Sequence, residues 1–366
     1  MTATDKMTDS PPSCVEEHLP KYKFDGERTR EWEAERLGPH EMPDWYCPGG
    51  LHPVRLGDKF LDGRYEVVHK LGFGHTATVW LARDHSEGRH VAIKIHMASD
   101  STEKETRESN ALRALSSGKE DHPGRATVMT YLNEFTISGP NGSHRCLVME
   151  FAGRPSCFPG YAPDIARAMV AQVLLGVDYI HSCGVGHGDV CTMNLLFRYE
   201  NVAQMTTEEL HSLWGRPRLL PFERLDGSPL GPEEPSYIIS EARPQLPGTG
   251  TGPTDINVNF VVVDDARIAI ADFGEAFLET EGREDLICNP AWRAPESIFH
   301  ERVSTACDVW AAACLIWELL AATSKKLFCT EPLPNEDKIL AGMVGVLGDF
   351  PERWWRQWEG RSALPL

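Results

Sequence analysis

A short loop of the sequence, His187–Phe197, carries an aspartate and an asparagine that could act together. Asp189 and Asn194 are five residues apart and precede an apolar stretch that indicates a strand. A carboxylate in such a loop can orient and deprotonate a hydroxyl group, while an amide oxygen can ligate Mg²⁺. Both residue types are also common in turns, so the loop alone leaves a purely structural interpretation open. We interpret His187 as a packed residue that anchors the loop and not as a base.

A second carboxylate, Asp272, directly follows the apolar segment Ile268–Ala271 and begins the tripeptide Asp-Phe-Gly. A hard oxygen ligand at the end of a strand is suited to Mg²⁺ that bridges phosphates. The tripeptide Ala294–Glu296 follows later, and Asp308 lies at the start of a strongly apolar segment. If the apolar segment is a helix, Asp308 could cap it, or it could accept hydrogen bonds from backbone N–H groups of the loop that carries Asp189.

A glycine-rich segment, Leu71–Trp80, lies between two predicted strands. Gly72 and Gly74 would let the backbone approach phosphates closely, with N–H groups facing the anion. Val79 would pack on a nucleotide base. Hairpin turns often contain glycine, so this motif is weak by itself.

A lysine, Lys94, ends the next apolar strand, Val91–Lys94. An ammonium group that points inward from a strand needs an anionic partner, and phosphate oxygens or a helix carboxylate would both serve. Glu108 on the following predicted helix is the preferred carboxylate, with Glu105 as the alternative. The order of glycine turn, strand, lysine and acidic helix disfavours a lysine that merely reaches solvent at a strand edge.

These motifs occur in the order that ATP-dependent phosphoryl transfer requires. Each motif is of moderate weight alone, whereas their ordered combination is strong evidence. The sequence therefore predicts a phosphotransferase that uses ATP and Mg²⁺, with Asp189 as the base.

The elements that position these residues fall into two groups, a sheet-based part followed by a helical part. Alternating apolar residues predict strands, and apolar residues at helical spacing predict helices. The predicted strands are 65–71, 78–84, 90–95, 146–151, 194–197 and 261–271. The predicted helices are 103–116, 165–182 and 307–322, of which the last is apolar nearly all round and is expected to be buried on every side.

The predicted domain organisation has three parts. Residues 1–43 form a polar tail with a short helix around Glu31–Arg36, residues 44–152 form an N-terminal lobe, and residues 153–366 form a C-terminal lobe. An insert at about 198–259 is rich in proline and glycine, which predicts mostly irregular surface structure.

Composition excludes several classes of protein. The 366 residues carry a formal net charge of −18, which argues against a nucleic-acid binder and suits a basic partner or a solvated acidic surface. Ten cysteines include no C-x-x-C pair, so neither a zinc nor a redox motif is indicated. The longest apolar run, Val309–Ala322, is short for a membrane span, and the N-terminus has no secretory apolar segment. We expect a monomer in the cytoplasm, the nucleus or both.

The sequence resembles the eukaryotic protein kinase superfamily over residues 60–350, and within it the SR-protein kinases, which phosphorylate Ser/Arg-rich splicing factors. The closer resemblance rests on YCPGGLHPVRLGDKFLDGRYEVVHKLGFGHTATVWLA, FTISGPNGSHRCLVMEFAG and NEDKILAGMVGVLG, and on the position of the insert, which is short here. It implies an α+β, two-lobed protein kinase fold, with a small antiparallel-sheet lobe containing one main helix and a larger, mostly helical lobe. It also implies serine/threonine kinase activity, with Ser/Arg-rich or basic proteins as the expected substrates.

The resemblance implies roles for individual residues. Lys94 would contact the ATP phosphates and pair with Glu108, Asp189 would be the base, and Asn194 and Asp272 would hold Mg²⁺. The residues implied around ATP are Leu71, Gly72, Phe73, Gly74, His75, Thr76, Ala77, Thr78, Val79, Ala92, Lys94, the gatekeeper Met149, Glu150 and Ala152.

The catalytic loop departs from the family pattern at two positions. Gly188 replaces the arginine before the base, and Cys191, followed by Thr192, replaces the lysine that normally touches the transferred phosphate. A milder change is Ala77 at the third glycine position. Since Gly188 cannot bind a loop phosphate and Thr280 is the one hydroxyl residue between Asp272 and Glu296, we predict no activation by phosphorylation of that loop.

The late part of the chain also departs from the pattern. The acidic positions that dock Arg-rich substrates are partly apolar, around Val344 and Gly345. The C-terminal lobe is expected to be truncated, without the last helices and without the arginine that pairs with Glu296. Two alternatives stay open: an inactive pseudokinase scaffold that still binds ATP, and a small-molecule kinase of the aminoglycoside or choline type.

Overall fold

The computed structural model describes residues 22–24, 40–74, 76–98, 102–153, 161–199, 202–241, 267–281, 283, 286–321, 326–328 and 335–363. These residues form two compact units. The first comprises described residues 22–102, 131–151 and 202–241, and the second comprises described residues 103–130, 152–199 and 267–363. The described part of the insert thus belongs to the first unit, although the sequence placed it within the C-terminal lobe.

The predicted strands and helices are confirmed within the described residues, but the strand predicted at 261–271 is only Ile268–Ile270, and its residues 261–266 lie outside the described residues. The strands are β1 (Tyr22–Phe24), β2 (Lys59–Phe60), β3 (Tyr65–Phe73), β4 (Ala77–Asp84), β5 (Arg89–His96), β6 (Tyr131–Gly139), β7 (Gly142–Glu150), β8 (Val185–Gly186), β9 (Leu195–Phe197), β10 (Leu219–Arg224), β11 (Tyr237–Ile239), β12 (Ile268–Ile270) and β13 (Phe277–Leu278). The helices are α1 (Thr102–Ser116), α2 (Pro163–Ser182), α3 (Thr207–Trp214), α4 (Pro295–Ile298), α5 (Ala306–Leu320), α6 (Glu336–Leu347) and α7 (Glu352–Gln357).

A six-stranded antiparallel sheet with the order β2-β3-β4-β5-β7-β6 forms the centre of the first unit. Because side chains alternate between the faces of a strand, Trp80 and its partner Ile93 lie on one face and Val79 and its partner Lys94 on the other. The Trp80 face carries the buried core, in which Trp80, Ile93 and Val148 pack with Ile239 of the insert.

The insert has more regular structure than its composition predicts. In residues 202–241, α3 begins with a capping box at Thr206, and β10 joins β1 and β11 in a three-stranded sheet. Leu220, Phe222 and Ile238 are buried in a second cluster of the first unit together with Phe24. The expectation of irregular structure is therefore wrong for these residues, because alternating apolar residues find a surface to pack on. The short helix proposed at 31–36 lies outside the described residues.

Two long helices, α2 and α5, form the centre of the second unit. Asp308, Leu315 and Glu318 of α5 are buried. The prediction that α5 is buried on every side is wrong for the described structure, because Val309 and Trp317 remain 59% and 46% exposed. No helix in the described part of the chain is long and apolar enough to cross a lipid bilayer.

Candidate active site

The loop after β8 is held in place by a buried carboxylate on α5. The backbone N–H groups of His187 and Gly188 donate to Oδ2 and Oδ1 of Asp308 over 2.7 and 2.8 Å. His181 Nε2 lies 2.9 Å from Oδ2 of the same carboxylate. Of the two roles considered for Asp308, the structure shows the second, since its oxygens hold the loop backbone and do not cap their own helix.

The loop brings Asp189 and Asn194 into direct contact. Asn194 Nδ2 donates to the Asp189 carboxylate and to the Asp189 backbone oxygen, each over 2.9 Å. Because the amide nitrogen faces Asp189, the amide oxygen is the atom left to act as a ligand. Asp189 itself is half-buried, so its carboxylate remains accessible.

His187 is a packed residue, as the sequence predicted. It is fully buried, and its ring lies 4.7 Å from the Phe273 ring. Its Nδ1 accepts the Asp189 N–H over 3.2 Å, which leaves Nε2 to donate to the backbone oxygen of Ala271 over 3.2 Å. These contacts connect the loop to the segment that carries Asp272.

The basicity of Asp189 is increased by its surroundings. Burial raises the pKa of Asp189 above the usual aspartate range, and the charges of Asp272 and Glu275 raise it further. His187 and the hydrogen bond from Asn194 act in the opposite direction. A carboxylate that is more basic than usual is better able to accept a proton from a hydroxyl group.

A two-stranded ribbon places Asp272 near Asn194. In the pairing of β9 with β12, Ile270 lies opposite Leu195, and Ala271 N–H donates to the Asn194 backbone oxygen over 2.9 Å. Asp272 has a left-handed backbone with φ of +64°, which is uncommon for a residue other than glycine and often marks a functional site. Its side chain is exposed at the end of β12.

The donor set at this position fits Mg²⁺ bound to a nucleotide. One carboxylate and one amide oxygen are hard ligands, and Mg²⁺ commonly takes few protein ligands together with phosphate oxygens and water. Among the described residues no group of three or more His, Cys, Asp and Glu could hold a metal ion by itself. Asp272 and Asn194 would hold the ion together with phosphate oxygens and water.

The residue before Asp189 must be glycine in this structure. Gly188 has φ of +78°, and a Cβ atom there would lie 2.5 Å from the backbone oxygen of Glu275. Glu275 is buried, forms an ion pair with Arg283 and accepts the Ile287 N–H over 3.1 Å. The sequence did not identify Glu275 and Arg283, although Gly188 was a sign that another group occupies the space of the arginine side chain.

Cys191, which stands at the position of the missing lysine, carries no positive charge. Its thiol is buried, and burial raises the pKa of Cys191 above its ordinary value, so the side chain is neutral near pH 7. The next residue, Thr192, donates its hydroxyl to Glu318 over 3.3 Å. Lys326 contacts Glu318 at 3.0 Å and lies 3.6 Å above the Trp292 ring. No sequence pattern indicated these contacts of Thr192 and Lys326 with Glu318.

A pocket opens beside Asp189. It lies between the loop and the segment that leads to α4, and Leu286, Cys288, Trp292 and Arg293 form part of its wall. The cavity holds only about 10 Å³, roughly the space of a single water molecule, so it is too small for a peptide side chain.

The predicted nucleotide residues of the first unit lie along one hairpin and the neighbouring strands. Gly74 N–H donates to the Ala77 backbone oxygen over 2.8 Å and closes the turn, while His75 lies outside the described residues. Thr78 accepts the Trp80 indole N–H over 2.8 Å, so its side chain faces the core. The residues of this set that lie on β3, in the turn and at the start of β4 are Leu71, Gly72, Phe73, Gly74, Thr76, Ala77 and Thr78.

The opposite face of the sheet carries the remaining nucleotide candidates of the first unit. Val79 pairs with Lys94, and Ala92 pairs with Met149, so alternation places these four residues on one face. Glu150 is half-buried at the end of β7.

Two further candidates belong to the second unit. Ala152 is buried and lies just after β7, where the chain enters the second unit. Glu108 is buried on α1. Because Lys94 lies in the first unit, its pairing with Glu108 stays a prediction. The side chain of the alternative, Glu105, is outside the described residues.

Comparison with known proteins identifies the family. The model of the protein kinase domain family matches residues 65–206 and 255–347, more than half of the chain. The chain belongs to the protein kinase family. The match and the relatives below show an ATP-dependent serine/threonine protein kinase that is similar to the SR-protein kinases. They favour this class over the small-molecule kinases.

The relatives carry protein kinase names. A serine/threonine-protein kinase SRPK of Physarum polycephalum is 31% identical over 84% of this chain and 72% of its own length. A serine/threonine protein kinase of Aspergillus fumigatus is 32% identical over 91% of this chain and 80% of its own length. Human SRSF protein kinase 3 is 39% identical over 43% of this chain and 29% of its own length.

Proposed function

We propose that this protein kinase is catalytically active and that Asp189 is its base. The observation that carries the proposal is the contact between Asp189 and Asn194 on a loop fixed by Asp308. A serine or threonine hydroxyl of the substrate protein gives its proton to the Asp189 carboxylate. The hydroxyl oxygen then bonds to the γ-phosphorus of ATP while the bond to the ADP oxygen breaks.

Asn194 and Asp272 are proposed to hold Mg²⁺ at the phosphates. The ion, when bound, neutralises negative charge on the phosphate oxygens. The contact of the Asn194 amide nitrogen with Asp189 leaves the Asn194 amide oxygen for this role, and the exposed Asp272 carboxylate would be the second ligand.

The hairpin residues and Lys94 are proposed to bind the rest of ATP. Gly72 and Gly74 would approach the phosphates with their backbone, and Lys94, on the same sheet face as Val79, would contact phosphate oxygens. Ala92 and Met149 extend this face toward Glu150, which is proposed to form the adenine-binding hinge with Ala152.

A second candidate function is an ATP-binding scaffold without phosphate transfer. The neutral, buried Cys191 favours it, because no cation would stabilise the charge of the transferred phosphoryl group from that position. The presence of the complete Asp189–Asn194 contact favours an active enzyme, since a scaffold has no need of a positioned base.

We propose basic or Ser/Arg-rich proteins as substrates. The net charge of −18 and the exposed Glu279 near the candidate site suit an arginine-rich peptide, and two relatives are named for SR-protein phosphorylation.

The test is transfer of labelled γ-phosphate from ATP to a panel of Ser/Arg-rich, Lys-rich and acidic peptides. Transfer to the Ser/Arg-rich peptides with a KM that rises with salt supports the whole proposal. Nucleotide binding without transfer to any peptide or protein would support the scaffold. As a second readout, Mg²⁺ with ATP should raise the melting temperature, and Asp272→Ala should remove most of the Mg²⁺ contribution.

A further inference from the structure

A lysine is fully buried on the strand that leads into the glycine-rich turn. Lys70 lies on β3 two residues before Gly72, and its side chain has no exposed surface. It is the cross-strand partner of Trp80. Its side chain therefore lies on the core face of the sheet, opposite to the face of Val79 that is proposed to meet the nucleotide.

The ammonium group is held by a carboxylate from the segment before the sheet. Lys70 Nζ forms an ion pair with Glu41, which is itself buried, and another oxygen of Glu41 accepts the Tyr46 hydroxyl over 2.5 Å. The rings of Phe73 and Trp80 flank the ammonium, each with its centroid 5.5 Å from Nζ. A buried ammonium is costly unless it is paired, so this site depends on its carboxylates.

A second carboxylate comes from the insert. Glu241 lies two residues after the end of β11, and its negative charge raises the pKa of Lys70, against the effect of burial. A Cβ atom placed on Gly72 would lie 3.3 Å from Glu241 Oε1. The ladder of β3 with β4 changes register between Lys70 and Gly72, and such a bulge sets the direction of the following turn. Glu41 thus meets the hairpin through Lys70 on the core face, and Glu241 meets it at Gly72, the cross-strand partner of Val79, where the turn begins.

The segments that bring these carboxylates are joined to each other. Strand β1 pairs with β10 of the insert, and Leu56 N–H donates to the Tyr237 hydroxyl over 3.1 Å. Asn141 Nδ2 donates to the Glu233 backbone oxygen over 2.9 Å. The insert is thus attached to the sheet on both sides of Lys70.

We propose that Lys70 is a positioning residue for nucleotide binding. Together with Glu41 and Glu241, Lys70 fixes the glycine-rich turn, and through Glu241 the insert controls the affinity for ATP. This role of Lys70 rests on the proposed function, in which the glycine-rich turn binds the phosphates of ATP. Lys70 does not touch the nucleotide, because it lies on the other face of the sheet.

The first test removes the charge supplied by the insert. In Glu241→Gln, the dissociation constant of a fluorescent, non-hydrolysable ATP analogue should rise about fivefold or more, the size of a typical coupling between sites. The KM for ATP should rise in parallel, with kcat at saturating ATP and the peptide KM unchanged. Glu223→Gln is the matched control, because Glu223 lies on β10 of the same insert with its side chain 75% exposed.

The second test removes the central ion pair. Lys70→Met alone would leave Glu41 as a buried, uncompensated charge and could prevent folding, so the informative variant is Lys70→Met with Glu41→Gln. This double variant should fold, as judged by its melting temperature without nucleotide, and should bind the analogue more weakly than the wild type. The single variant Lys70→Arg keeps the positive charge and should bind the ATP analogue with most of the wild-type affinity.

The affinity should also depend on pH in a way that identifies Lys70. Burial lowers the pKa of Lys70 to about 7, so the ammonium loses its proton and its ion pair as the pH rises through that value. Burial lowers the pKa of His40 and of His69 to about 4, so both stay neutral there. The titratable groups that act on the ammonium are Glu41, Glu241 and His40, whereas His69 accepts the Lys70 backbone N–H and Tyr46 contacts Glu41. The wild-type affinity should fall above pH 7, and the double variant should have a flat profile.

The outcomes separate this proposal from the proposed function. Wild-type affinity in both Glu241→Gln and the double variant would overturn the role of Lys70 and leave Asp189 untouched. Weakened binding in these variants, in a protein that transfers no phosphate, would support the role of Lys70 and contradict the proposed catalysis. A wild-type protein that binds no nucleotide would overturn both.

Discussion

The catalytic loop of the second unit and the glycine-rich hairpin of the first are both fixed by buried charge, but through different atoms. Asp308 holds the loop by its backbone N–H groups, whereas Lys70 and Glu41 hold the hairpin by their side chains. A loop held by its backbone keeps its shape when its own side chains change. This difference explains how the loop can carry Gly188 and Cys191 and still bring Asp189 to Asn194.

The largest effect should follow from removing the carboxylate that holds the loop. Asp308→Ala leaves the His187 and Gly188 N–H groups without acceptors, at about 1–3 kcal/mol for each buried group. The displaced loop should lower kcat about a hundredfold or more. Urea unfolding and steady-state kinetics check both values. Asp308→Asn keeps one acceptor oxygen, so its unfolding free energy and kcat should lie between those of the wild type and of Asp308→Ala. Equal losses in the two variants would contradict the account that Asp308 holds the loop through its backbone N–H groups.

The next effect concerns the glycine before the base. Gly188→Ala forces a Cβ into a left-handed residue and against the Glu275 oxygen, so unfolding free energy should fall by about 1–3 kcal/mol. Gly227→Ala is the matched control, because Gly227 has φ of +76° with nothing within 4 Å of its Cβ. The difference between the two variants, measured by urea unfolding, isolates the clash with Glu275. Equal losses would mean that Glu275 does not restrict this position.

A smaller effect is expected at the position of the missing lysine. Cys191→Lys introduces a cation near the proposed phosphate site, and kcat should rise about threefold or more if the enzyme is active but slow. Cys191→Met controls for side-chain length without charge and should not accelerate transfer. A fall in kcat for the lysine variant would show that the buried site has adapted to a neutral thiol, as its pKa shift toward the neutral form suggests.

The smallest effect is expected at Thr280. The segment after Asp272 is already fixed by the buried pair of Glu275 and Arg283, and Glu279 and Glu281 would repel a phosphate at Thr280. Phosphatase treatment of protein made in bacteria and the Thr280→Ala variant should both leave activity unchanged. Activity that disappears on dephosphorylation and returns with an upstream kinase would contradict this account.

The sequence predicted the parts of the site that come from contiguous motifs. Asp189 and Asn194 lie within one loop, so their spacing alone indicates that they meet, and the contact is present. Alternation in 65–95 predicted the strands of the hairpin, whereas the pairing of Val79 with Lys94 on one face came from the structure. Local patterns suffice where the residues that act together are neighbours in the chain.

Contacts between distant segments were beyond the sequence. Lys70 looks like an ordinary strand residue, and nothing in the pattern indicates that residues 41 and 241 converge on it. The packing of the insert was missed for the same reason, since proline and glycine suggested irregular structure while Phe222 found a buried place beside Phe24. Glu275 and Arg283 were missed because an acidic segment normally indicates solvent exposure.

The most direct test of the central claim is the rate of phosphate transfer by Asp189→Asn. The amide has nearly the shape of the carboxylate but cannot accept a proton, so kcat should fall by several orders of magnitude. Because the side-chain oxygen of an asparagine can accept the same hydrogen bond from Asn194 Nδ2, binding of a fluorescent ATP analogue and the melting temperature should stay close to the wild type. A variant that retains wild-type kcat would contradict the assignment of Asp189 as the base.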